Sequence, residues 1–407
     1  GAALYVGGIA GYNNTNAMDQ SSNSGEIKVS GTSVGRACVA GIVGTPWNAA
    51  VTNATNTGAV TVNGTITGGA GVGGISGYVQ DDKSGANKKL VNGAPISVSG
   101  TSKNAIWVGG VIGNSNKSNG QTTFENKATG IVTVNLSQDS AGDIYVGGVA
   151  GLIQDSSNKI YNYGNVNVNG YANGTLYIGG VIGSQNNYDR TDHINYADIN
   201  ISAKVSKDLR VGGICAGGRY AKDWKNAVNY GDINVSKDTE VQGSTYLGGI
   251  YGSSNSSQDY FKFTACRNEG NITFSGKSCL TNVEGGRNVL CMGGLTGWVG
   301  QYELGNAGHM VNIVDGFTNK GTMKYDGTCN GCVAVGGIIG NNNWTSGTWS
   351  GTLVNEGEVI CTGTYGTTGN AGGIIGISNT KFADVKAHCS VKAKGYTGVG
   401  MILGSPQ

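Results

Sequence analysis

The stretch "YVGGVAGLIQDSSNKIYNYGNVNV" at residues 145–168 contains two phrases that recur along the chain. The first, G-G-[IVL]-x-G, begins at Gly7, Ala40, Gly73, Gly109, Gly147, Gly179, Gly212, Gly248, Gly293, Gly336, Gly372 and Gly400. Ala40, Ala216 and Met401 each replace one glycine of their copies. The second, N-x-G-x-[VI]-x-[VI], lies between successive copies of the first, as in "NSGEIKV" (23–29), "NTGAVTV" (56–62), "NYGDINV" (229–235) and "NEGNITF" (268–274). Most copies are 32 to 38 residues apart, and the spacing widens to 45 and 43 after Gly248 and Gly293.

Strict alternation after the N-x-G is the period of a strand with one buried face. A short apolar piece precedes each Asn, as in "KLVN" (89–92) and "KIYN" (159–162). With the G-G phrase this makes about three short strands per unit. No segment keeps a 3.6-residue apolar period. Such units cannot bury a face alone, so they stack. The expected fold is all-β: one right-handed parallel β-solenoid over residues 1–407, of about eleven coils of roughly 33–36 residues. At a strand spacing of about 4.8 Å the rod is on the order of 50 Å long. Inward Val, Ile and Leu form the core, and the recurring Asn predicts an amide ladder at one corner. Longer, cysteine-rich loops fall in about 253–335.

The two phrases at this spacing resemble the GLUG-type repeats of bacterial secreted and surface proteins. The resemblance spans nearly the whole chain and implies an extracellular or cell-surface, adhesin-like β-solenoid, usually part of a larger protein. The degenerate last unit and the cysteine-rich third quarter depart from the pattern.

Composition narrows the partners. The chain has 74 glycines among 407 residues, 13% charged residues and a formal net charge of +2. That balance argues against nucleic acid or an anionic membrane surface as the main partner. No apolar run reaches the roughly 18 residues of a membrane span. Gly1 in place of a methionine is expected for a processed or excised product. The G-G strand stands at both ends without a capping segment, which predicts continuation into flanking sequence or end-to-end self-association.

Candidate chemistry is sparse. A glycine-rich phosphate loop would need a helix behind it and would occur once. The densest polar cluster is "NNYDRTDH" (186–193), with Asp189, Arg190, Asp192 and His193. It falls in a corner loop that every unit has, and no catalytic residue is assigned from it. No metal site or cofactor is expected either. Cys329 and Cys332 have C-x-x-C spacing without a second pair to complete a zinc site. Cys279, Cys329 and Cys332 precede G-G strands in the longest units, which favours a disulfide staple between neighbouring loops. Nine cysteines is an odd number, so at least one is free or pairs between chains.

The loop after the G-G phrase carries Trp47, Trp224, Trp298, Trp344 and Trp349, with Tyr188 and Tyr220. Equivalent loops of a solenoid stack along one edge. These residues are therefore candidates for an aromatic platform that binds a glycan or a host or cell-surface protein, or for lids on the coils. Two tyrosine rows, Tyr163/Tyr196/Tyr230 and Tyr5/Tyr145/Tyr177/Tyr246, read as packing ladders. The expected function is a non-catalytic, extracellular, adhesin-like repeat protein with a binding side face. The alternatives are a self-assembling filament subunit and a polysaccharide-active β-helix enzyme.

Overall fold

A computed structural model describes residues 2–406 except 81–87, 117–121, 155–156, 187–189, 220–222, 255–259, 282–287, 301–309, 344–349 and 379–383. The chain is a parallel β-solenoid, and no helix occurs among the described residues. One coil illustrates the rest. Its strands are Leu176–Gly179, Ile182–Asn186, Arg190–Asn195 and Ile199–Val205. Each pairs in parallel with its counterpart in the next coil, for example Tyr177 with Arg210 and Ile199 with Ile233. Four long sheets result, called here the first to the fourth in the order of these strands. The first and second contain 12 strands each, one for every copy of the G-G phrase. The cysteine-rich quarter stays in the stack, with one register shift between Thr264 and Cys266.

The coil has four main strands instead of three, because the G-G phrase is two strands. Their close approach explains its glycines. A Cβ on Gly179 would collide with the carbonyl oxygen of Ile182, three residues on, so the chain can bend sharply there only without a side chain. A Cβ on Gly180 would lie 2.5 Å from Nδ2 of Asn195. A Cβ on Gly183 would lie 2.8 Å from the backbone nitrogen of Val146, which belongs to the first sheet. The second half of the phrase therefore folds back onto the first at backbone contact.

Two cores flank this double layer. The first sheet packs on the fourth through Leu176, Ile178, Ile199 and Ile201. The second packs on the third through Val149, Ile153, Ile160 and Phe124. All of these side chains are buried, as alternation with a period of two requires.

The expected amide ladder is present. Nδ2 of Asn23, Asn56, Asn92, Asn126, Asn162, Asn195, Asn229, Asn268 and Asn319 donates to Oδ1 of the next Asn, ending on Asn355, at 2.8–3.0 Å. The same Nδ2 of Asn195 donates to the Ala197 carbonyl at 2.7 Å, which fixes the corner. A ladder amide therefore needs both a donor and an acceptor. Asn195→Ala is expected to cost about 1–3 kcal/mol, because it leaves buried neighbours unpaired. Asn195→Asp is expected to cost more, since a carboxylate cannot donate to Asn229 and buries a charge. Urea denaturation midpoints check the order, wild type above Ala above Asp.

Candidate ligand-binding groove

The residues singled out above fall in several different places. Trp47 ends the strand Val43–Trp47 and is 38% exposed. Trp224 and Trp298 are buried. This corrects their assignment to an exposed platform. Trp224 sits in a third-sheet strand facing the second core, edge-on to His193 and Tyr251 at 5.6 and 6.1 Å. Trp298 sits in a second-sheet strand and packs on Tyr246 at 5.7 Å between centroids. Strands begin sooner after the G-G phrase than the loop reading assumed. Trp344, Trp349, Tyr188 and Tyr220 lie outside the described residues.

The polar cluster comes apart in the same way. His193 takes the core position that Ile160 holds one coil earlier. Burial, with Arg190 nearby, pushes its pKa well below the ordinary range, so it stays neutral. Arg190 is buried and donates from Nε to Oε1 of Gln185 at 2.7 Å. Asp192 accepts from Nδ2 of Asn226 at 2.9 Å. Asp189 lies outside the described residues. Among the described residues, no three His, Cys, Asp or Glu side chains are grouped as metal ligands.

The arrangement that does face solvent arises where the first and second sheets splay apart. The residue before the Val of Y-V-G-G points away from the first core, into the wedge between these sheets. The ladder register runs Gly71, Trp107, Tyr145, Tyr177, Arg210, Tyr246 in six successive coils. Trp107 stacks on Tyr145 at 6.2 Å and Tyr145 on Tyr177 at 4.7 Å, with ring planes within 13°. The Arg210 guanidinium lies 5.3 Å from the Tyr177 ring centre and 5.6 Å from that of Tyr246. The opposite wall, from the second sheet, carries Leu152, Ser184, Asn186 and Gly218. Together with Asp143 these residues line a groove of about 340 Å³ along four coils.

The electrostatics of the groove are mixed and mostly neutral. Arg210 pairs with Asp208 at 3.1 Å. Desolvation works against its charge, but Tyr177 and Asp208 outweigh it and hold the guanidinium protonated. Burial pushes the Tyr145 phenol upward, with Tyr177 and Asp143 adding to the effect, so it remains a neutral donor. Asp143 Oδ1 accepts the Thr175 backbone N–H at 2.7 Å. The Trp107 Nε1–H is buried without a hydrogen-bond partner. Further along the rod the same wedge is filled by Tyr246, Cys291, Trp298, Ala334 and Ile377.

Of this site, the row through Tyr145, Tyr177 and Tyr246 is legible in the sequence, but only as packing. Trp107, two residues before its G-G pair in the first-sheet strand Ile106–Gly109, was not among the residues singled out from the sequence. The available signal was the outward phase of that position. The second tyrosine row is a packing ladder: Tyr163, Tyr196 and Tyr230 stack at 4.7 and 5.0 Å. Among the described residues, no helix is long and apolar enough to cross a membrane. No protein-family model, curated protein or solved structure matches the chain.

Proposed function

We propose that the chain is a non-catalytic, extracellular, adhesin-like repeat protein that binds a glycan along its side. The observation that carries this reading is the groove from Trp107 to Arg210. It offers apolar ring surface and, along the same groove, phenol, carboxylate, hydroxyl and amide groups. A saccharide is amphipathic in the same way, and such sites combine aromatic walls with a few placed polar groups. A rod also holds the groove rigid, which lowers the ordering cost of binding. The buried, neutral His193 and the scattering of its polar neighbours favour binding over acid/base chemistry.

A glycan array probed with the isolated chain tests this. Retention of one oligosaccharide class is expected. Trp107→Ala and Tyr145→Ala should each weaken it roughly tenfold or more, as loss of a central aromatic anchor does. Tyr163→Ala, in the other tyrosine row, should bind like wild type. Retention that is insensitive to both groove variants, or turnover of any polymer, would overturn the reading.

A further inference from the structure

The structure assigns a covalent cross-link to one pair among the nine cysteines: we infer that Cys279 and Cys329 close a disulfide between two adjacent coils. Short strands Lys277–Ser278 and Thr328–Cys329 are parallel neighbours, with Ser278 opposite Cys329. Cys279 is therefore one strand across and one residue along from Cys329. That step places their Cα atoms about 6 Å apart, inside the range a disulfide spans.

Separation alone is not enough, since successive residues of a strand face opposite sides. Here the alternation continues through Cys329 and breaks at Cys279. Ser278 and Cys279 are both buried in succession. The cause is the backbone of Cys279, which has φ 55°, a left-handed conformation rare for a residue with a side chain. It turns the thiol back to the side of Cys329, and both join the same core cluster. Backbone strain held at one cysteine so that it faces another is the kind of outlier that marks a functional constraint.

The surroundings separate this pair from Cys332. The Cys332 sulfur accepts from Oγ1 of Thr368 at 3.0 Å and belongs to a different cluster, at the wedge. The neighbouring Cys329 side chain, outweighing burial, holds the Cys279 thiol below its ordinary range, and Cys279 in turn pushes Cys329 above it, so Cys279 is the better thiolate.

The reaction is an exchange with a disulfide oxidant, small or protein-borne. The Cys279 thiolate attacks one oxidant sulfur, breaks its S–S bond and expels the first thiolate. The Cys329 thiolate then attacks the Cys279 sulfur and expels the second. Two cysteine S–H bonds and one oxidant S–S bond are lost. One protein S–S bond and two oxidant S–H bonds form, and two electrons pass to the oxidant. Cys279 and Cys329 are 3% and 1% exposed in the folded chain, so the exchange takes place before these coils close.

The test is a peptide map of the full chain, folded during export to an oxidising compartment, with free thiols alkylated and nothing reduced. The expected map joins the Cys279 peptide to the Cys329 peptide and leaves seven alkylated cysteines, nine less the two of the pair. Cys332→Ser should keep the link, and Cys279→Ser should leave Cys329 alkylated. Alkylation of both Cys279 and Cys329 in the wild type, or linkage of either to another cysteine, would overturn the assignment. If Cys279→Ser fails to fold, the wild-type and Cys332→Ser maps decide it.

Discussion

Ile199→Asp is expected to destabilise the coil around it by at least about 3–5 kcal/mol, because an unpaired charge enters a packed interior. Ile199 is fully buried in the core between the first and fourth sheets. Its register partners are Val166 and Ile233, so no polar group stands directly above or below it. Val166→Asp should behave alike. Repeat arrays gain stability from nearest neighbours, so the damage should be local at first, with new proteolytic cleavage near the coil before the rest melts. The controls lie next door. The Asn165 and Asp198 side chains each accept a backbone N–H of the following coil, from Asp198 at 3.1 Å and Asp232 at 2.9 Å. Asn165→Asp and Asp198→Asn keep that acceptor oxygen and should change stability by no more than about 0.5 kcal/mol. Thermal melts with limited proteolysis check all four. Melts of Ile199→Asp like those of the wild type would refute the inward assignment.

Gly180→Val should be as damaging, on the order of 4 kcal/mol or enough to prevent folding. A Cβ at Gly180 would press on the Gly213 carbonyl of the next coil and lie 2.6 Å from Cγ of Asn195. Neither can move away: one belongs to the stacked backbone, the other to the amide ladder. The chain itself shows how the three glycines differ. Ala40 stands at a first position and Ala216 at a third, both buried, so those sites can accommodate a methyl group in some coils. The second position departs from glycine only at Met401, in the last coil and 49% exposed. Gly183→Ala should therefore cost much less than Gly180→Val. Equal urea midpoints for these two variants would mean that the ladder does not set the glycine requirement.

The period, the inward apolar rows and the amide ladder were legible because each coil repeats the same local demand. Val166, Ile199 and Ile233 alternate with polar neighbours in every copy, and the Asn recurs at one fixed place in the unit. The fold-back at G-G was not legible. Glycine at 179, 180 and 183 reports that something comes close, but what comes close belongs to other strands and other coils. The same limit explains the aromatics. Trp298 follows a G-G phrase and reads as loop, yet the second strand of the phrase carries it into the wedge against Tyr246. The row of Tyr145 and Tyr177, which Trp107 joins, reads as packing, yet it borders a stretch where Leu152, Ser184 and Gly218 leave the wedge open. The Cys279–Cys329 contact depends on a left-handed residue in a non-repeating insertion, which no periodicity announces.

The claim that the middle coils form a glycan-binding groove is tested most directly by a crystal structure of the chain with the oligosaccharide that an array selects. Sugar rings are expected to lie along the rod between Trp107 and Arg210, stacked on Trp107 and Tyr145, with hydrogen bonds to Asp143, Ser184 or Asn186. A sugar bound elsewhere, at exposed Trp47 for example, or a groove left empty by a ligand that the array retains, would contradict it.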